Sequence, residues 1–182
     1  MIDKFNNELT ELPFENCCVC DVNFQESGTQ YLVEKSIKRV SESVSYSIYE
    51  YAICWNCAQA FQQKISVESN AAIELYFFNQ LQNKEPKEFD ELIDPIEEAL
   101  SACLVKGTSV EEMNEYVMCA VFRNGNFSFG AMPYVLSMEV LEELSEQLSA
   151  ETKDEMDDFR KTYLGGPPEL EELLKGKPVV FL

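Results

Sequence analysis

Two Cys-x-x-Cys pairs, Cys17 with Cys20 and Cys54 with Cys57, stand 33 residues apart in a chain that contains no histidine. Thiolate sulfur is a soft ligand suited to zinc, and two cysteines three residues apart can share one ion held about 2.3 Å from each sulfur. The second pair completes a tetrahedron. Structural zinc sites fill all four positions with protein, whereas catalytic sites leave one for water. Four thiolates therefore predict a zinc ion that holds a fold, with Cys17, Cys20, Cys54 and Cys57 as ligands. Cys18 is the alternative to Cys17 as the first ligand. An iron–sulfur cluster takes the same four sulfurs, and buried free cysteine is the bland reading, but paired spacing favours zinc over both.

The segment between the pairs has strand character. Tyr31, Val33 and Ile37 alternate with Glu34, Ser36 and Lys38, a short polar turn follows at Ser41, Glu42 and Ser43, and residues 44–53 are rich in β-branched and aromatic side chains. Val44, Tyr46, Ile48 and Ala52 are expected on one face of that second strand, and the two strands are expected to pair as a hairpin. Cys54 then opens a segment in which Ala58, Phe61 and Ile65 recur at helical spacing. A knuckle, a hairpin and a second cysteine pair on the first turn of a helix together resemble the treble-clef class of zinc modules over residues 17–65. A helix start suits the site, because its backbone amides and positive dipole end favour bound thiolates. Cys54-Trp55-Asn56-Cys57 at a helix start is also similar to the layout of thioredoxin-like oxidoreductases, which implies Cys54 as a nucleophile. Against that stand Trp55 between the cysteines and the lack of a βαβ pattern around them.

Beyond residue 66 the pattern becomes helical. Val67, Ala71, Leu75, Phe78 and Leu81 form a stripe expected to face the core, ended by Asn83 to Pro86. Asp94 and Pro95 punctuate a second helix that Gly107 stops, with Ile96, Ala99, Leu100, Cys103 and Leu104 inward. From Glu115 the period becomes two, and Asn124-Gly125 predicts a type I′ turn that returns the chain through Asn126 to Phe129. Ser137 and Ser149 are expected to cap two further helices, the first burying Leu141, Leu144 and Leu148, the second Met156, Phe159 and Tyr163. Gly165 to Pro168 ends the second, and the apolar residues from Pro178 to Leu182 are expected to add a strand or plug the core.

The formal charge is −19, and four thiolates on one zinc make it −19 − 4 + 2 = −21. Such a surface repels phosphate backbones and anionic lipid, so direct nucleic-acid binding and a membrane role are not expected; a basic protein or peptide fits the sign. The charge divides as 5 basic and 9 acidic residues (−4) in 1–66 against 9 and 24 (−15) in 67–182. That shift sets an expected boundary between a zinc-binding module, 1–66, and an acidic α+β region, 67–182, packed together. Seven cysteines, an odd number, without an apolar leader or a span of some 20 apolar residues, point to the cytoplasm.

Histidine-based triads are excluded, and no phosphate-cradling glycine loop or calcium loop occurs. Cys103 and Cys119 read as core residues, the acidic clusters as solvated helix faces, and Tyr46, Tyr49, Tyr51 and Trp55 as cover for the zinc core or a recognition surface. The fold class expected is α+β: zinc knuckle, β-hairpin and helix, packed on a helical carboxy-terminal part with its own hairpin. The role expected is a structural, non-catalytic zinc protein acting in protein–protein interaction, with thiol–disulfide exchange at Cys54 and Cys57 as the alternative.

Overall fold

The computed structural model describes residues 2–41, 44–82, 95–128 and 133–164. Strands β1 (Gln30–Ser41) and β2 (Val44–Cys54) form a long antiparallel hairpin. The other edge of β1 pairs antiparallel with β3 (Glu115–Arg123), which in turn pairs with β4 (Asn126–Phe127) and β5 (Tyr134–Ser137). Among the described residues the fold is α+β, a five-stranded antiparallel sheet accompanied by six helices. These are α1 (Phe24–Ser27), α2 (Trp55–Gln62), α3 (Val67–Leu81), α4 (Pro95–Ala99), α5 (Met138–Gln147) and α6 (Ala150–Phe159), the last followed by a π turn over Arg160–Leu164.

Both faces of the sheet are covered. On one, Phe24 stacks on Tyr31 at 3.9 Å between ring centroids and Phe5 meets Phe122 edge-on at 5.5 Å. On the other, Phe159 packs against Tyr51 and Phe61 at 5.6 and 5.0 Å. Alternation along β1 therefore does not separate core from water: Glu34 and Ser36 are as buried as Tyr31 and Val33. Glu34 keeps hydrogen-bond partners there, because the Tyr49 and Tyr51 hydroxyls each donate to its carboxylate at 2.9 Å. A buried carboxylate without donors would cost several kcal/mol, roughly, so this pairing is a condition of burying it at all.

The second hairpin forms as its sequence predicts: Asn124 and Gly125 take φ of 52° and 73°, and Arg123 pairs with Asn126. Ser137 and Ser149 cap α5 and α6 by accepting from the Val140 and Thr152 amides. Four expectations need correction. The helix from Pro95 stops at Ala99, because the Cys103 and Leu104 amides bond to Thr108 and Val135 carbonyls in place of their own helical turn. Leu100 and Cys103 are buried nonetheless. On α3 the inward residues are Ser69 and Tyr76, with Ile73 and Phe77 partly buried, whereas Val67, Ala71, Leu75 and Phe78 face solvent. The helix is apolar over most of its circumference, and spacing alone cannot choose between two such faces.

In β2 the register slips by one residue opposite Ser36 and Ile37, so that Tyr46 falls on the side of Tyr49 and Tyr51, opposite Ala52. The fourth correction is at Tyr163, which is partly exposed at the end of the π turn. Strand β5 carries no expectation at all; its four residues pair with β3 from Tyr116 to Cys119. The expectations for Glu42 and Ser43, for 83–94, for Phe129, and for the carboxy-terminal segment from Gly165 lie outside the described residues.

Candidate metal centre

The first cysteine pair sits on a tight knuckle. The Cys17 amide donates to Val22 O at 3.0 Å and the Asp21 amide to Cys17 O at 2.9 Å, with Asp21 itself in the left-handed region at φ 59°. Aspartate tolerates that conformation better than most residues because its short side chain bonds locally. Here Asn16 Nδ2 donates to Asp21 Oδ1 at 2.8 Å. Asn23 closes the knuckle by capping α1, and Gly28, at φ 60°, ends that single turn and leads into β1. The Cys18 amide donates to Ala52 O at 2.9 Å, which fastens the knuckle to the edge of β2.

The second pair is placed by the junction of β2 and α2. Cys54 is the last residue of β2 and the N-cap of α2, and its sulfur accepts from the Cys57 amide at 3.4 Å, the position a serine or aspartate oxygen usually fills. The Cys17 sulfur accepts from the Cys54 and Val19 amides at 3.3 and 3.4 Å. The sulfurs of Cys17, Cys20, Cys54 and Cys57 all lie within 4.8 Å of one another. Those of Cys20 and Cys54 are 3.8 Å apart, and a tetrahedron with arms of about 2.3 Å has an edge of about 3.8 Å. The donor set thus fits a zinc-sized ion in both chemistry and spacing.

Burial is graded across the cluster. Cys17 and Cys54 are buried, Cys57 is half-buried and Cys20 is exposed. The Cys17 thiol is held down at about 4 by the Cys18 thiol donating to it, against the opposing effect of burial, with the Cys54, Cys20 and Val19 amides adding to the lowering. Cys18 is pushed up, first by giving its proton to that bond. Burial pushes Cys54 and Cys57 up as well. Four thiols so close do not ionise together without a cation, and a bound dication reverses that balance.

All four cysteines expected as ligands are brought together, and Cys18 stands outside the set. Cys103 and Cys119 are buried in the core, Cys103 accepting from the Ser137 amide at 3.3 Å. Of the four aromatics near the second pair, Tyr49 and Tyr51 are buried against Glu34 while Tyr46 and Trp55 reach the surface. The bonds from Tyr49 and Tyr51 to Glu34 are what sequence reasoning missed. The available signal was an acidic residue in a strand facing two tyrosines at i and i+2 on its partner. Among the described residues no helix is long and apolar enough to cross a membrane. Comparison with protein-family models, curated proteins and solved structures found no match.

Proposed function

We propose that Cys17, Cys20, Cys54 and Cys57 hold one structural zinc ion in a treble-clef layout, and that the protein is a non-catalytic interaction module of the cytoplasm. Residues 1–66 would carry the metal and residues 67–182 the acidic surface presented to a basic protein or peptide. The observation that supports the metal assignment is the convergence of the four sulfurs within 4.8 Å of one another, with Cys20 and Cys54 at 3.8 Å. With four protein ligands no position is left for water, so the ion would supply cohesion and no hydrolytic chemistry. Zinc would take the place of apolar core that a segment of about 50 residues cannot build for itself. Thiol–disulfide exchange at Cys54 and Cys57 is the competing reading. It draws support from the helix start, but Cys54 is only 2% exposed, which impedes attack on an external disulfide.

Metal analysis together with native thiol counting separates the two. One zinc per chain, with Cys17, Cys20, Cys54 and Cys57 unreactive until a chelator is added, is the expected result. A metal-free protein that cycles a Cys54–Cys57 disulfide and reduces a model disulfide would overturn it.

A further inference from the structure

Helix α3 turns an apolar seam to solvent: Val67 is 87% exposed, Leu75 58% and Phe78 64%, with Ala71 exposed between them. These positions fall at i, i+4, i+8 and i+11, a single face about 16 Å long at the helical rise of 1.5 Å per residue. At Leu75 the seam runs into a cleft of about 320 Å³ between α3 and α5, whose walls include Tyr76, Asn79, Glu143, Glu146 and Gln147. The floor is fixed, because the Tyr76 hydroxyl donates to Glu143 at 2.5 Å and Lys106 pairs with Glu143 and Glu139 at 2.5 and 3.2 Å. The rim is acidic. Glu68 and Glu74 flank the seam on α3 and Glu146 faces it from α5, and none of the three has an ion-pair partner among the described residues.

An exposed apolar stripe bordered by unpaired carboxylates is complementary to a helix with an apolar face flanked by lysine or arginine. A second copy of this chain is a poor occupant, since each copy carries a formal charge of −19. We infer that the α3–α5 face is the docking site for a basic amphipathic helix of a partner protein, its apolar side chains covering Val67, Leu75 and Phe78 and its cations meeting Glu68, Glu74 and Glu146. The inference rests on the interaction role proposed above and assigns it a place and a partner chemistry.

The test uses the full zinc-loaded chain and a fluorescent fourteen-residue peptide of leucine and lysine in helical register. A scrambled peptide of the same composition and an analogue with glutamate for lysine serve as controls. Fluorescence anisotropy should show binding of the first peptide alone. Leu75→Ser with Phe78→Ser, or Glu74→Lys with Glu146→Lys, should each weaken it by about tenfold or more, while Val40→Ser at the exposed hairpin tip should leave it unchanged. Equal binding of the scrambled peptide, or no effect of either double variant, would overturn the proposal. With benzoylphenylalanine in place of Phe78, photo-crosslinking should capture the peptide; capture of the chain's own residues 165–182, or of a second copy, would assign the face to that occupant and overturn it too. Zinc content read on the same samples keeps the two conclusions separate. A zinc-loaded chain that ignores the peptide refutes only the docking site.

Discussion

Removing the proposed zinc ion is the perturbation with the largest expected consequence. A four-ligand structural zinc site contributes folding free energy on the order of 10 kcal/mol at neutral pH. For a domain of this size each kcal/mol moves Tm by about 2–4 °C, so stripping the ion should lower Tm by about 20–40 °C. The sheet decides how far the loss spreads. β1 belongs to the hairpin that ends at Cys54 and also pairs with β3 from Gln30 to Lys38. Unfolding of 17–65 would strip β3 of that partner along almost its whole length, and Tyr31 would leave both Phe24 and Phe122. Chelation is therefore expected to yield one cooperative transition at lower temperature. Calorimetry with and without chelator, paired with hydrogen exchange at the β3 amides, measures both parts. If zinc were shown to be gone while Tm stayed within about 2 °C, the structural role of the ion would be refuted. If β3 amides kept their protection while residues 17–65 exchanged freely, the shared-strand argument would fail.

Cys18→Ser should keep the metal and Cys17→Ser should lose it, as read by zinc content after gel filtration; the reverse outcome would exchange their roles. Glu34→Ala leaves the Tyr49 and Tyr51 hydroxyls without their acceptor in the core and opens a cavity, for a combined cost of about 3–5 kcal/mol in urea denaturation. Glu34→Gln, which keeps one acceptor oxygen, should cost less, and wild-type stability in the alanine variant would contradict the network. The Cys17 thiol lies at about 4 in the folded chain against 9.0 for a free thiol. Its folded value is the lower one, so the stabilisation it contributes is full above about pH 9 and fades as pH falls toward 4. Because protons compete with the ion for all four thiolates, zinc should stay bound at neutral pH and be released on acidification, measured with a metal-sensitive dye; release on raising the pH from 7 to 8 would contradict this sign.

What could be read from the sequence was local chemistry. Cysteine spacing named the four sulfurs that converge, Asn124-Gly125 named a turn whose two residues must take positive φ, and Ser137 and Ser149 named two helix starts. Each of these is decided within a few residues of chain. The failures are tertiary. Glu34 reads as a solvent-facing strand residue until two tyrosines and a second layer of helices are placed over it. The apolar seam of α3 reads as core, because period marks a face without saying whether protein or water lies against it. Residues 100–107 read as helix because their apolar spacing suits one. The Cys103 and Leu104 amides are claimed by the Thr108 and Val135 carbonyls, and β5, the strand that contains Val135, is four residues long and too short to announce itself.

The four-cysteine cluster and the acidic helical region are connected by more than the sheet. Helix α2, capped by Cys54 and carrying Cys57 in its first turn, ends at Gln62, and α3 begins at Val67 with Ser66 as its cap. That short connection is pinned where the amino termini of α3 and α6 meet. The Ser66 amide donates to Thr152 Oγ1 at 3.1 Å, the Ser149 amide donates to Ser69 Oγ at 2.9 Å, and the Ser66 and Ser149 hydroxyls lie 3.0 Å apart. Two helix ends that would repel through their dipoles are thus joined by hydroxyls that accept from each other's backbone. With Cys54 fixed at one end of α2 and Ser66 at the entry to α3, the direction of α3 is set from both sides. The faces that α3 turns to Tyr76 and Glu143, and away from them at Val67 and Phe78, follow from that direction. A structural ion at the cysteine cluster would then govern binding at the seam, by holding the helix that bears it.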